Sequence, residues 1–549
     1  MELKRLGTAL LIVVWLAGSS AAQGHDHSQS LKGQNAGELG SVNFPVSCTA
    51  TAQTTFSRSV AMLHSFWYEE AAKSFESVAQ QDPTCAMAWW GVAMSNYHPL
   101  WEPPTAAAMA KGTAAIHKAK ALNARTDRER GYIRALSAFY QADAKLDYTS
   151  RNRAYSHAMA RVYRANPDDS EAAVFYALSL VASASRTDKT YANQRRAGAI
   201  LEKVFATQPN HPGVIHYLIH SYDYPTLASY GLDAARRYAK TAPAVPHALH
   251  MPSHIFVRLG LWEDAANSNR AAIDAGKKYE QETHMSGAWD QRLHPADYLV
   301  YSLLQSGRDL EARAVVEEIS HIQKAQPDNL TGGYVLAVVP VRYAMERSKW
   351  AAAARLSPRP STFPYTQALT YWARAMGSAR TGYVAAAREN LRHLESIEKQ
   401  LRDSKEEYWA NQSEVLVREA SAWIGQAVVE KNNKVQQDKI VQLMRSAADL
   451  EDSIDKHPIT PGAVLPAREL LGNLLLEMHL LAQASEAFEA SLRSAPNRFN
   501  SLFGAAKAAE LGGDSARARQ YYSKLIENCS TAQANRSQLA EAKMYLARR

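Results

Sequence analysis

Three cysteines in 549 residues exclude a disulfide-framed fold. They leave at most one internal pair, for which Cys48 and Cys85 are the first choice, with Cys529 then free. Alternating Val/Ile/Thr runs and hairpin dipeptides flanked by them are almost absent, which excludes a sheet-based architecture. Past the N-terminus no stretch is apolar enough for a membrane span. No long Lys/Arg block accompanies the net charge of +8, and charges of both signs alternate along helical stretches, so no nucleic-acid partner is expected. The chain lacks H-E-x-x-H, G-x-S-x-G, a P-loop, a dinucleotide-binding glycine pattern and C-x-x-C-H. Any catalysis would use a site that these motifs do not describe.

What is present is a repeated histidine pattern in residues 211–254. His216 and His220 are four apart, as are His250 and His254. The second pair follows the first by 34 residues, and Pro212 and Pro246, upstream of the two pairs, have the same offset. Proline is favoured at the first position of a helix, where its missing N–H costs nothing. Two helices are therefore expected to start there, each carrying a histidine pair on one face. His64 and His98 are also 34 apart.

Elsewhere, Tyr68, Ala71, Phe75 and Pro83 mark a first repeat, with Trp89 beginning the next. The segments LGLWEDA (Gly260, Trp262, Ala265) and SGRDLEA (Gly307, Ala312) read as turns into second helices. Ala484 and Phe488 recur 34 residues later as Ala518 and Tyr522, with Leu471, Gly472 and Pro496 in supporting positions. On these residues the chain resembles the tetratricopeptide repeat (TPR) superfamily. Its stretches DPTCAMAWWGVAMS, HYLIH and HMPSHIFVRLGLWEDA are similar to those of a group of exported bacterial TPR proteins with no secure activity, and the likeness covers most of residues 55–350. The resemblance implies an all-α solenoid of helix–turn–helix units in two arrays: residues 51–355 with a histidine-rich groove, a Pro-rich joint at 356–365, and residues 366–549. It also implies that first-helix positions 2, 5, 9, 12 and 13 face the concave groove. His247 and His294 fall near position 2, His216 and His250 at 5, His220 and His254 at 9, and His64 and His98 at 13. Eight of the 18 histidines are thus expected on one inner surface.

Imidazoles on neighbouring helices can meet around one transition-metal ion, Zn, Cu or Fe, with bonds of about 2.0–2.1 Å. His216, His220, His250 and His254 are the expected ligands, with His294 and His247 as further candidates. Four histidines would close a site; three plus water would leave a reactive position. Tyr217, Asp290, Asp297 and Tyr301 are candidate supporting or substrate-facing groups. Pro252 interrupts HALHMPSH and is expected to kink its helix, either aiming His250 and His254 or separating them. The competing reading has the histidines copied by duplication and satisfied by Tyr217, Tyr222 or backbone carbonyls. The aromatic group Phe66, Trp67, Tyr68, Trp89, Trp90 and Trp101 is expected to be core, with part of it walling the groove beside His64 and His98.

The first 22 residues read as a signal peptide: Lys4 and Arg5, the apolar stretch Leu6–Ala17, then Ser20, Ala21 and Ala22. An uncleaved anchor is the alternative. Cleavage implies a periplasmic or secreted protein without stable membrane insertion. Residues 23–50 read as a flexible leader. If it begins at Gln23, His25 at position three and His27 make a Cu(II) or Ni(II) chelate, the alternative being a metal-free tail. Function then divides three ways: a groove that binds a peptide or protein beside a metal site, a metal-dependent hydrolase or oxygenase, or a metal-free interaction scaffold.

Overall fold

The computed structural model describes residues 38–549, apart from 101–102, 144, 431, 533–535 and 549. The expected signal segment, the His25/His27 chelate and Trp101 lie outside the described residues. Within them the chain is an α-helical solenoid of helix–turn–helix units, running from Ala50–His64 to Ser537–Ala547. The described strand structure is one parallel pair of two-residue strands, Ala288–Trp289 and Ala325–Gln326.

Several helix pairs pack a glycine against an aromatic ring. A Cβ on Gly91 would lie 2.3 Å from the Phe75 ring, and one on Gly472 would lie 2.8 Å from Phe488. Glycine lets the two helices approach, and the ring fills the space between them.

The segment expected as a flexible leader is packed from its first described residues. Leu39 and Phe44 are buried, and Phe44 sits among Phe56, Trp90, Tyr132 and Phe175. Ser47 donates through its hydroxyl to Glu129, and Cys48 is bonded to Cys85. Its polar, Gly/Ser-rich composition hid one aromatic anchor and one cross-link. Cys529 is free and buried.

The joint at 356–365 does not interrupt the core. One hydrophobic cluster runs from Ala266 through Ala353 and on from Tyr365 to Ala508. The second array also turns back on the middle repeats. Trp262 Nε1 donates to the Asn497 carbonyl, and Arg498 pairs with Glu346 and Glu469 in full burial. The break DKHPITPGAVLP is laid against the inner helices. Lys456 pairs with Asp223, the Tyr298 hydroxyl meets the carbonyls of Pro458 and Thr460, and Arg342 donates to the carbonyls of Gly462 and Ala463. The chain itself therefore occupies this part of the groove.

Candidate metal centre

The helices that carry the site begin where the prolines place them, at Pro212–Tyr222 and Pro246–His250. Beyond His250, Met251 keeps right-handed helical angles (φ −53°, ψ −34°), and a second helix, Pro252–Leu259, continues. Pro252 removes one hydrogen bond, and the break is local: Met251 N–H still donates to the His247 carbonyl, and His254 N–H donates to the Met251 carbonyl. His250 and His254 stay together. Their Nε2 atoms lie 3.1 Å apart, the same separation as between His216 and His220.

The six central histidines divide into two groups of three, not one group of four. His216, His220 and His247 form one; His250, His254 and His294 form the other, and each offers three ring nitrogens within 4.8 Å of one another. The division follows from register. The triplets 213/216/220, 247/250/254 and 294/297/301 have the same internal spacing of three and four residues. Each cluster takes an i, i+4 pair, His216/His220 on one helix and His250/His254 across the Pro252 break, and the leading histidine of the next triplet. All six side chains are between 0 and 4% exposed. An aromatic ring packs on each group: Phe66 on His216, His220 and His247, and Tyr298 on His250, His254 and His294.

Hydrogen bonds at the far side of the rings fix the proton positions. His216 Nδ1 lies 2.7 Å from the His64 carbonyl oxygen, an acceptor only, so Nδ1 carries the proton. His254 Nδ1 donates to the Asp223 carboxylate at 2.8 Å. His250 Nδ1 lies 2.6 Å from Asn269 Oδ1, whose amide orientation is set by Nδ2 donating to the Ala265 carbonyl. A neutral imidazole protonated at Nδ1 has a bare lone pair at Nε2. His250 and His254 therefore direct two lone pairs at each other across 3.1 Å. Burial holds all six imidazoles in the neutral form: His216 is lowered to about 3, and the others are also shifted down, with desolvation the largest cause. For His254 the Asp223 carboxylate pulls the other way without winning. Asp223 itself is held well below the carboxylate range: burial opposes this, and Lys456, Arg258 and His254 outweigh it.

A third group has metal-like spacing but different chemistry. His64, Glu171 and His211 lie within the same limit. Here Glu171 accepts from both rings, at 2.8 Å from His64 Nε2 and 2.8 Å from His211 Nε2. His211 Nδ1 accepts the Val214 N–H, and His64 Nδ1 lies 3.0 Å from the Tyr217 hydroxyl. Every nitrogen has a partner of the right sense, and Glu171 is lowered to about 2 by its two histidines against the cost of burial. The triad seats His64, whose carbonyl orients His216. Gly213 makes room for it, since a Cβ there would fall 2.5 Å from His64 Nδ1.

Other expected residues sit elsewhere. Tyr217 hydrogen-bonds His64 of the triad. Asp297, expected beside the metal, is fully buried against Arg342 in a two-point ion pair (2.7 and 3.0 Å). Tyr301 meets Arg498, and Asp290 meets Asn329. His98 is in neither cluster; its backbone is left-handed (φ 47°) and its ring lies on Tyr68. Of the aromatic group, Phe66 walls a histidine cluster, Trp90 is core, and Trp89 carries the Lys118 ammonium on its face. The anchors Asp223, Asn269 and the His64 carbonyl were not legible. Asp223 lies one residue past its helix, Asn269 is on another helix, and a carbonyl has no sequence signature.

No family model and no curated protein matches the chain. Among solved structures, it is similar to human IFIT1 in a dimer with PPP-AAAA: 11% identity, 88% of this chain and 91% of that one, TM-score 0.35. It is also similar to a structure of Naa15/Naa10 bound to HypK-THB: 12% identity, 90% of each chain, TM-score 0.23.

Proposed function

We propose that this solenoid binds transition-metal ions in its middle repeats, one at His250, His254 and His294 and one at His216, His220 and His247. The observation that carries the reading is the facing Nε2 pair of His250 and His254. Both Nδ1 atoms donate to oxygen, so no ring proton is left to bridge the gap, and burial disfavours adding one. A metal ion between them turns this repulsion into coordination. Two nitrogens bound to one ion at about 2.0–2.1 Å lie roughly 2.9–3.4 Å apart, and the observed 3.1 Å falls in that window. Ligating histidines donate their other N–H to a carboxylate, carbonyl or similar acceptor, as His254, His216 and His250 do here. Three nitrogens leave a fourth position for water or another ligand, and an all-nitrogen set suits Zn, Cu or Fe.

A peptide docked along these inner helices, the other reading of the groove, would have to displace residues 455–463. We also place the protein outside the cytoplasm, in the periplasm or secreted. The signal-like first 22 residues support this, and a Cys48–Cys85 bond is in keeping with an oxidising compartment.

The test is elemental analysis of untagged protein beside a His250→Ala/His254→Ala variant, before and after reconstitution. Near-stoichiometric metal in the parent, reduced by about one ion per chain in the variant, is expected. A parent that takes up no metal even after reconstitution rules the reading out.

A further inference from the structure

One cavity reaches a single member of the histidine clusters, His220. It encloses about 360 Å³ and has His220 and Asp223 in its lining. That volume is many times a water molecule's share of liquid, roughly 30 Å³, and falls within the range of small-molecule sites. Its walls come from three separate parts of the chain: Arg153 on the helix Tyr148–Ala165, Arg186 after Ser170–Ala182, and Lys456 on the segment that folds back from the second array. Three cations thus face one acid. The acid is already engaged, because Asp223 receives Arg258 at 2.9 Å, Lys456 at 2.7 Å and the His254 N–H. The cavity therefore carries an excess of positive charge beside a histidine that belongs to a cluster. Arg186 is oriented for this: its guanidinium lies over the Tyr408 ring, and Nη1 is 3.5 Å from the Lys456 carbonyl. A planar guanidinium held in this way matches the geometry of a carboxylate or phosphate. His220 is also the most exposed of the six histidines, at 4%.

We propose that this cavity admits a small oxyanion, a molecule bearing a carboxylate or phosphate group, to the metal held by His216, His220 and His247. The proposal rests on the metal reading above. Arg153 and Arg186 draw in and orient the anion, and its oxygen takes the coordination position that three histidines leave open. A pocket of this size selects a small molecule over a polymer.

The experiment uses the full chain loaded with cobalt(II), whose visible absorption bands change when a ligand on the metal is exchanged. Sodium phosphate and sodium acetate are titrated separately, and cobalt per chain is measured for every sample. The expected result is a saturable spectral change with at least one of them, and the anion that gives it identifies the group. Arg153→Glu combined with Arg186→Gln should weaken that binding about tenfold or more, with cobalt content unchanged. Arg186→Lys alone, which keeps the charge and loses the planar fork, should weaken it less than the double variant does; circular dichroism confirms that each variant is folded. A cobalt-loaded protein whose spectrum neither anion alters overturns the proposal. So does a response of equal affinity in the double variant. Failure to take up cobalt at all overturns the metal reading and this proposal with it.

Discussion

At His250 and His254 two imidazoles face each other across 3.1 Å with both outer nitrogens donating to oxygen. On the helix Asp290–Gln305 the same two positions are Asp297 and Tyr301, and the Arg342 guanidinium from Leu330–Glu346 reaches into the layer they form. Both layers are buried and both use equivalent places on successive first helices. They differ in where the cation comes from. The Asp297 layer carries its own positive charge, supplied from the next helix, and is complete within the polypeptide. The histidine layers present lone pairs at Nε2, and their nearest cations, Lys456 and Arg258, are held behind the rings on Asp223. An inner face built on one register can thus hold either a closed ion pair or a set of facing imidazoles, and the residue types at three positions decide which.

The comparison can be broken from the ion-pair side. Asp297→Ala leaves Arg342 charged and fully buried, with hydrogen bonds only to the carbonyls of Gly462 and Ala463. Removing one partner of such a pair typically costs about 3–5 kcal/mol. The expected outcome is a drop of that size in unfolding free energy by urea denaturation, with metal content per folded chain unchanged. A fall in metal content at constant fold would mean that the two layers are not independent.

Acid separates the layers next. His216 is held near 3 instead of 6.5, so below pH 6.5 the unfolded chain binds protons that the folded chain refuses. In chelator-treated protein, stability is full above that pH and falls as the pH drops toward 3. At a pH of about 4.5 His216 alone removes about 3 kcal/mol. The guanidinium of Arg342 does not titrate in this range and adds nothing to the slope. Urea midpoints at neutral pH and at about 4.5 measure the loss; equal midpoints would refute the proton placement.

The finest distinction lies inside the histidine layer. Asp223→Asn keeps the shape of the anchor under His254 and removes its charge. Loss of such a partner typically lowers metal affinity by about 10–100-fold. Competition with a chromophoric chelator should find that decrease for one ion, with the other nearly unaffected. Glu171→Gln, in the triad that already satisfies its own nitrogens, should leave both ions bound.

The helices and most of their inner faces were legible because they rest on local chemistry. Proline at N1 started Pro212–Tyr222 and Pro246–His250, and the 34-residue offset carried both histidine pairs to equivalent positions. What misled was treating the four paired histidines as one site. Spacing along a helix says which residues share a face, but grouping across helices depends on which turn of the next helix lies opposite. Here that turn presents His247 and His294. The packed state of residues 38–49 was masked in a similar way, since Phe44 is a single apolar residue in a polar stretch and finds its four aromatic partners only through the fold.

By itself the sequence determined an all-α solenoid, the helix starts at Pro212 and Pro246 and the histidine pairs they carry, because helix period and capping act within a few residues. Tertiary structure alone decided the rest. It split six histidines into two threes and bonded Asp297 to Arg342. It set Asp223, Asn269 and the His64 carbonyl behind the rings, and folded Lys456 back over the cavity from more than 200 residues away in sequence. Those contacts fix which nitrogen of His216, His250 and His254 carries the proton, and they depend on distances between helices that no local pattern encodes.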